Sequence, residues 1–168
     1  IPTVIIPPGQ GAFSALGMLM ADVQHDFSRT RVTALAQTDI REVEQTFAAM
    51  EREATAALRD EGFSDNDMRL QRSIDVRYAG QEHSVTLPLS SVDNHFTSKV
   101  ESDFSILHER QYGHVMNDPI EITTLRLRAT GTVEKPGFPL AERRTGGQPE
   151  PYGTRAVYVD AENPAIEY

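Results

Sequence analysis

The stretch from Asp39 to Gly62 constrains the fold more than any other part of the sequence. Apolar side chains recur in it at helical spacing, which predicts a long helix with one continuous apolar face. The residues of this stripe are Ile40, Val43, Phe47, Met50, Ala54 and Leu58. Asp39 is suited to cap the first turn, with Glu42 as its capping-box partner, and Gly62 is suited to end the helix. Such a helix needs a second layer against which to bury its apolar face.

The hydrophobic period changes to two at Met68, which predicts strands. Apolar and polar residues alternate from Met68 to Tyr78 and again from Val85 to Leu89, with a turn at residues 79–82 between them. This pattern is typical of a β-hairpin. Pro88, near the end of the second strand, favours a position at the edge of a sheet, because proline cannot donate a backbone hydrogen bond.

A second long helix and a long strand follow the hairpin. The helix is predicted to begin at Ser90 or Ser91 and to end at Gly113. Its inward side chains are predicted to be Val92, Phe96, Val100, Phe104, Leu107 and Tyr112. The strand after Pro119 runs to Ala129, and a one-residue slip of its apolar phase at residues 123–124 indicates a bulge. The predicted fold class is therefore α+β, with two long amphipathic helices packed on a mostly antiparallel sheet.

The first part of the chain predicts a strand, a glycine-rich turn and a helix. Residues 4–6 are all apolar, which is typical of a strand in the middle of a sheet. No neighbouring strand for it occurs in this sequence, so we expect the chain to be a piece of a longer one. The helix is predicted from Phe13 to Phe27 by the spacing of its apolar residues, and a strand of residues 29–37 is expected to follow.

The chain beyond Gly131 is rich in residues that interrupt regular structure. Four prolines and four glycines lie between residues 136 and 153. We therefore predict an extended, loop-rich excursion over residues 133–153. A returning strand is predicted around Val157, where β-branched and aromatic residues cluster.

Composition and charge exclude several classes of protein. The chain has 16 basic and 25 acidic residues and a formal net charge of −9 at pH 7. General attraction to nucleic acid or to an anionic membrane is therefore not expected. The longest apolar stretch, residues 12–21, has about half of the roughly 20 residues that a membrane-spanning helix needs. The chain has no cysteine, which rules out disulfides and thiolate zinc sites and is consistent with a cytoplasmic location.

Gly9, Gly11 and Ser14 lie at the turn before the first predicted helix, where small residues let backbone amides approach an anion. The dinucleotide-binding pattern requires a third glycine where Ser14 stands, and the other common phosphate loop requires a lysine that this segment lacks. The residues themselves therefore favour a structural turn over direct contact with phosphate.

No catalytic residue and no metal site is predicted. His108 begins a pattern like that of a zinc-protease helix, but Tyr112 stands where the second histidine is required. Asp22, His25 and Asp26 could share one helical face as metal ligands. Aspartates on an exposed helical face are usually only solvated, however, and the sequence favours that interpretation.

Polar and charged side chains gather around Tyr78 and Gly80 at the predicted hairpin turn. They are Asp75, Arg77, Gln81, Glu82 and His83. Loops commonly carry function. A solvated hairpin end is nevertheless the more usual reason for such a cluster, so the residues alone favour that reading of the turn.

Four segments of the sequence carry a recognisable pattern. The first covers residues 7–17 and continues through Asp22, Asp26 and Arg29-Thr30. The other three are Arg-Tyr-Ala-Gly-Gln at residues 77–81, His-Glu-Arg-Gln-Tyr-Gly at residues 108–113, and Glu-Ile-x-x-Leu-Arg at residues 121–126. In this order and spacing they resemble the hydantoinase A/5-oxoprolinase family, and four ordered matches are far more specific than any single one.

The resemblance implies an ATP-dependent enzyme of cyclic amides such as hydantoins or 5-oxoproline, or a related ketone carboxylase. In the family, an upstream actin-like ATPase part phosphorylates a carbonyl oxygen, which makes the carbon of an unreactive amide open to attack. ATP and magnesium are the implied cofactors of the complete enzyme, and none is expected on this piece. The implied partners are the upstream ATPase part and a hydantoinase B-type subunit or fused half.

The resemblance also implies how the chain is divided. Residues 1–28 would be the last strand and helix of the ATPase domain, and residues 29–168 would be the C-terminal α+β domain. The resemblance leaves the substrate undecided, and the piece alone is expected to be inactive. The alternative is a non-catalytic module that docks the partner subunit.

Two groups of residues acquire expected positions from the resemblance. Gly9, Gly11 and Ser14 would lie on a loop near the nucleotide or the substrate. Four residues of the hairpin turn would lie at a domain or subunit interface, or at the edge of a substrate cleft. They are Arg77, Tyr78, Gly80 and Gln81. None of these residues is expected to be catalytic.

Overall fold

The computed structural model describes residues 9–135, together with residues 137, 153, 156–157 and 166–167. The chain divides into two compact units, residues 1–136 and residues 137–168. The predicted strand at residues 4–6 and most of the predicted excursion at residues 133–153 lie outside the described residues.

A four-stranded sheet forms the framework of the larger unit. Its strands are β1 (Val23–Ala34), β2 (Met68–Tyr78), β3 (Val85–Leu89) and β4 (Ile120–Gly131). Every pairing is antiparallel, and the order across the sheet is β1-β4-β2-β3. The predicted hairpin of β2 and β3 is confirmed, and Pro88 lies on the edge strand β3 as predicted.

Three α-helices accompany the sheet within residues 9–135. They are α1 (Phe13–Leu19), α2 (Ile40–Asp60) and α3 (Phe96–Tyr112). Helix α2 contacts β1, β2 and β4, and α3 contacts β3. The predicted α+β class, with two long amphipathic helices on an antiparallel sheet, is confirmed. In the described part of the chain no helix is both long and apolar enough to span a membrane.

One apolar core lies between the two long helices and the sheet. All but the first residue of the predicted α2 stripe are fully buried, and Ile40 packs partly buried against them. The strands contribute Ile74, Val76, Tyr78, Val85, Leu87, Ile122, Leu125, Leu127 and Ala129. Burial of each large apolar side chain contributes about 2 kcal/mol, so this layer is the main source of stability.

Helix α2 begins and ends where its sequence predicts, but without the predicted capping box. The carboxylate of Asp39 accepts a hydrogen bond from the backbone N–H of Arg41 at 2.8 Å, whereas Glu42 pairs with Arg31 rather than completing a capping box. At the other end Gly62 has a φ of +93°. The backbone N–H of Phe63 donates to the carbonyl of Leu58 at 3.0 Å, which is the pattern of a Schellman motif.

Arg72 of β2 joins the sheet to α2. Its guanidinium donates to Glu51 and Glu44, each at 2.7 Å, and its carbon Cζ lies 5.0 Å from the centroid of the Phe47 ring. The hydrogen bonds to Glu51 and then Glu44 hold the pKa of Arg72 well above its usual value, despite partial burial. The guanidinium therefore stays charged, and polar atoms at the rim of the core are satisfied.

The prediction of a helix from Phe13 to Phe27 is wrong in its second half. Helix α1 ends at Leu19, and β1 begins at Val23. Val23 and Phe27 are four residues apart, a spacing that fits one face of a helix and equally one face of a strand. Pairing decides between the two, because Phe27 lies opposite Leu127 of β4. Strand β1 thus crosses residue 28, and the domain division placed there stays a prediction.

The second long helix begins later than predicted. It starts at Phe96 instead of Ser90 or Ser91. The Asp93 carboxylate accepts hydrogen bonds from the backbone N–H of His95 at 2.8 Å and from the Ser91 hydroxyl at 2.9 Å. These bonds, the backbone one first, lower the pKa of Asp93. They stabilise a turn over residues 91–95 that competes with helix there.

The bulge predicted at residues 123–124 is confirmed. Thr124 lies opposite Asp75 of β2, and Ile122 lies opposite the next residue, Val76, so that Thr123 has no partner on β2. The extra residue shifts the phase of β4. Ile122 and Leu125, three positions apart, are therefore both buried on the core side.

The smaller unit contains a two-stranded antiparallel ribbon, β5 (Ala156–Val157) and β6 (Ile166–Glu167). The strand predicted around Val157 is confirmed, and its partner is Ile166 of β6.

The left-handed end of α2 generates a test of the fold. Replacing Gly62 with alanine is expected to lower the free energy of unfolding by about 1 kcal/mol, because an L side chain is strained at positive φ. Gly17→Ala in α1 is the control, since nothing lies within 4 Å of an added Cβ and the backbone there is helical. Urea denaturation measures both variants, and equal losses would contradict the explanation.

Candidate functional site

Three of the four recognisable segments meet at one end of the sheet. The turn at residues 79–82 between β2 and β3, which we call the hairpin tip, lies against the end of α3 and the start of β4. The backbone N–H of Ala79 donates to the carbonyl of Pro119 at 2.8 Å. The rings of Tyr78 and His108 meet edge to face at 4.9 Å. Segments 77–81, 108–113 and 121–126 thus form one contiguous structure.

Tyr78 lies in the core, with 1% of its surface exposed. Its ring packs edge-on against Phe104 at 4.8 Å, and its hydroxyl accepts a hydrogen bond from the backbone N–H of Met116 at 3.1 Å. Tyr78 therefore fixes the segment after α3 against the end of β2. Its expected place at an interface or at the edge of a substrate cleft stays a prediction. Because the side chain is buried, it can contribute there only by positioning its neighbours.

The other predicted tip residues lie around Tyr78. Arg77 donates from Nε to the Glu121 carboxylate at 2.6 Å, and both side chains are largely shielded from solvent. Gly80 has a φ of +84°, a conformation that favours glycine in this turn. The amide nitrogen of Gln81 contacts the sulfur of Met116 at 3.4 Å. The structure thus brings the four predicted residues together.

A small cleft opens between the hairpin tip and the end of α3. Its volume is about 210 Å³, and we call it the tip cleft. Its lining residues are Gln81, Glu82, His83, His108, Tyr112 and His114. Segments 77–81 and 108–113 each contribute to it, although they lie far apart in the chain.

Leu107 packs partly buried against the core as predicted, but the prediction that Tyr112 points inward is wrong, and the burial of His108 is not predicted. Tyr112 is 44% exposed, whereas His108 is 2% exposed. A signal was present, because Phe96, Val100, Phe104 and His108 follow one another at intervals of four residues. A histidine in such a series is less often buried than an apolar residue, so the spacing alone is a weak signal. The His108 Nδ1 atom lies 2.8 Å from the carbonyl oxygen of His114, which satisfies that side of the ring.

A second polar network lies on the sheet face opposite the long helices. Asp75 is only 3% exposed. Its carboxylate accepts hydrogen bonds from the hydroxyl of Thr86 at 2.7 Å and from Nε of Arg126 at 2.6 Å. On the neighbouring strand pair, Arg128 and Asp26 form a more exposed ion pair at 2.8 Å, in which the hydrogen bond from Arg128 lowers the pKa of Asp26. Alternation predicted Asp75 to be a polar residue, but not its burial.

Gly9, Gly11 and Ser14 are exposed at the beginning of the described chain. Gly9 has a φ of +70°, which agrees with a structural turn. Within residues 9–19 no residue is buried and none is basic. This segment alone therefore does not provide the enclosure or the positive charge that a nucleoside triphosphate needs. Its expected position near a nucleotide or substrate stays a prediction.

The aspartates and histidine considered as metal ligands each have a separate partner. Asp22 binds Lys135 and the backbone N–H of Val133, and the Lys135 hydrogen bond is the main cause of its lowered pKa. His25 pairs with Glu61 at 2.9 Å. Over the part of the chain that the structure describes, no three His, Asp or Glu side chains are arranged to hold a metal.

Comparison with known families identifies the family of this chain. Residues 31–165 match the family model described as the hydantoinase/oxoprolinase C-terminal domain. The chain therefore belongs to this family, and the resemblance stated from its residues is confirmed.

Relatives with known names are longer than this chain. Caprolactamase subunit alpha of Pseudomonas jessenii is 26% identical over 167 residues, covering 95% of this chain and 24% of the relative. The 5-oxoprolinase of Saccharomyces cerevisiae is 29% identical over 133 residues, covering 78% of this chain and 10% of the relative. The chain thus spans a quarter or less of the length of these relatives.

Solved structures share the fold. The crystal structure of ATP-dependent caprolactamase from Pseudomonas jessenii matches with a TM-score of 0.71 and 25% identity, over 88% of this chain and 22% of that chain. A nucleotide-free structure of acetone carboxylase matches with a TM-score of 0.62 and 19% identity, over 96% of this chain and 25% of that chain. The second match shows a common fold only.

The two carboxylates on the face opposite the helices make a matched pair for mutation. Asp75→Ala is expected to lower the free energy of unfolding by about 2 kcal/mol, because Thr86 and Arg126 lose their shared acceptor. Asp26→Ala should cost clearly less, since exposed ion pairs contribute little. Denaturation of both variants at neutral pH gives the comparison, and an equal loss would show that burial of Asp75 is unimportant.

Proposed function

We propose that this chain is the C-terminal domain of an ATP-dependent enzyme that opens cyclic amides such as hydantoins or 5-oxoproline. The observation that carries the proposal is the family match over residues 31–165, with relatives named as caprolactamase and 5-oxoprolinase. On this proposal the domain is inactive alone. The ATP chemistry belongs to a part of the protein upstream of it.

The proposal includes the cofactors, partners and location of the whole protein. ATP and magnesium would act in the upstream ATPase part, with residues 1–28 as the last part of that domain. A hydantoinase B-type subunit or a fused equivalent would complete the enzyme, which is consistent with the relative named as an alpha subunit. The cytoplasm is the proposed location, since that is where ATP is supplied.

Exposed apolar side chains on α1 support the proposed contact with the upstream part. Phe13 is 54% exposed, Met18 is 75% exposed and Leu19 is 77% exposed, all within seven residues. A helix this short is not stable by itself in water, and apolar groups so placed gain free energy when a neighbouring surface covers them. In the proposed assembly that surface belongs to the ATPase part of the same chain.

The second candidate function is a docking module for the partner subunit, and the hairpin tip is the feature that favours it. Arg77, paired with Glu121, lies in β2 close to the hairpin tip. A rigid turn that presents polar groups suits recognition of another protein surface. The two candidates are compatible, but they assign different roles to Arg77.

Activity measurements test whether this domain is inactive without the rest of the proposed enzyme. The isolated 168-residue chain is expected to hydrolyse no ATP with hydantoin, 5-oxoproline or caprolactam present, whereas the complete protein with its partner subunit should do so with a cyclic amide. Phosphate release measures both. Hydrolysis by the isolated chain would overturn the proposed inactivity. Hydrolysis by the complete enzyme that requires bicarbonate and a ketone would instead assign a ketone carboxylase.

Arg77→Ala in the complete enzyme separates docking from a role at a substrate cleft. A docking role predicts weaker association with the partner subunit, by about tenfold in Kd for one lost charged contact of about 1.4 kcal/mol. A role at a cleft predicts intact assembly and a lower kcat/KM. Arg59→Ala is the control, because Arg59 forms an exposed pair with Asp65. Analytical ultracentrifugation and steady-state kinetics together distinguish the outcomes, and no change in either would exclude both roles.

A further inference from the structure

His108 carries an unpartnered acceptor in a nearly buried side chain. Its Nδ1 lies 2.8 Å from the carbonyl oxygen of His114, and a carbonyl can only accept, so Nδ1 carries the proton. In the neutral ring Nε2 therefore holds a lone pair. It has no hydrogen-bond partner among the described residues, and it is not among the polar atoms sealed from solvent there. Because the ring lines the tip cleft, Nε2 opens into that cleft.

Several other residues that line the tip cleft also offer acceptors. Nδ1 of His114 lies 3.1 Å from the carbonyl of Tyr112, which leaves the Nε2 lone pair of His114 free. Gln81 directs one amide N–H towards Met116, and it offers its amide oxygen as an acceptor. Glu82 adds a carboxylate. The lining residues thus offer two imidazole nitrogens, an amide oxygen and a carboxylate as acceptors.

The tip cleft holds no permanently positive side chain that would balance these acceptors. Neither lysine nor arginine is among its lining residues. The Tyr112 ring, 44% exposed and 4.7 Å from the His108 ring, adds an aromatic surface of the kind that attracts cations. A metal ion is disfavoured as the complement, because the described residues hold no group of three suitable ligands.

We propose that the tip cleft binds the ammonium or guanidinium end of an organic cation. Such a group donates several hydrogen bonds at once, carries the charge that Glu82 complements, and can lie against the Tyr112 ring. A volume of about 210 Å³ suits a group of this size and is smaller than the roughly 300 Å³ or more typical of drug-sized ligand sites. The cation can be a free small molecule or an arginine or lysine side chain of a polypeptide.

The experiment titrates the 168-residue chain with ethylguanidinium and ethylammonium, with acetamide and acetate as neutral and anionic comparisons. Nitrogen NMR of the histidine rings reports on His108 directly. The cations are expected to bind saturably and to shift the Nε2 signal of His108, with at least tenfold weaker binding of acetamide and acetate. Equal binding of acetamide, binding of acetate, or no binding of either cation would overturn the proposal.

Variants link binding to the cleft. His108→Phe keeps an aromatic ring beside Tyr78 and Phe104 but removes the acceptor, and it should weaken cation binding at least tenfold. His95→Phe, the same change before the first turn of α3, should leave binding unaltered. Glu82 lies on an exposed loop, so Glu82→Gln provides a second test if His108→Phe does not fold. Glu82→Gln should weaken cation binding about threefold or more. Unchanged binding in Glu82→Gln, or in a folded His108→Phe, would contradict the proposal.

Two further titrations identify the source of the cation and test zinc as an alternative ligand. N-acetyl-arginine amide mimics a side chain on a polypeptide. Tighter binding than ethylguanidinium supports a protein source, and equal or weaker binding supports a free small molecule. Zinc is the rival: micromolar zinc binding that shifts the Nε2 signals of both His108 and His114, without cation binding, would overturn the proposal in favour of a metal site. This inference does not depend on the substrate of the proposed enzyme.

Discussion

Burial of the α2 stripe against one face of the sheet is the constraint on which the rest of the structure depends. The stripe covers the core side of β2 and β4, where Ile74, Leu125 and Leu127 are fully buried. Since side chains alternate along a strand, the opposite face receives every second residue. That face carries Asp75 and Arg126 and their neighbours. The polar network there is thus a direct consequence of the register that the core imposes.

Three buried polar side chains lie where the fold provides hydrogen-bond partners. The Asp75 carboxylate accepts hydrogen bonds from two side chains, and the Tyr78 hydroxyl and His108 Nδ1 each bond to the backbone of residues 114–116. An unsatisfied group at such positions would cost about 1–3 kcal/mol. These bonds therefore fix the segment between α3 and β4 against the hairpin tip. His108 Nε2 differs from these groups because it meets no partner within the described residues.

Much of this fold could be predicted because periodicity is a local signal. The α2 stripe, the β2–β3 hairpin and the phase slip near Thr123 are all visible in the order of apolar residues. Prediction failed where a spacing fits both the helical and the strand period, as it does for Val23 and Phe27. The pairing of β1 with β4 was needed to decide that these residues form a strand. It also failed where a local hydrogen bond competes with helix, as at Asp93.

The candidate site could be predicted only in part, because burial of polar residues depends on tertiary neighbours. The four residues chosen at the hairpin turn do lie together. The apolar spacing could not show that Asp75 would be enclosed by Thr86 and Arg126 on other strands. For His108 the position in a series of fours was informative, but the residue type argued against burial. The resemblance gave the family, and the contacts between its segments came only from the structure.

The charge of this chain bears on where the proposed enzyme would bind ATP and where it would bind a cation. The chain has a net charge of −9, so its electrostatic field attracts cations and repels a nucleoside triphosphate. The acceptors of the tip cleft act in the same direction at short range, around His108 and Glu82. An ATP site would need basic groups or a metal ion to offset phosphate charge, and residues 9–19 contain no basic side chain. Under the proposed function, the upstream part must therefore supply the positive charge for ATP, while this domain is suited to hold a cation.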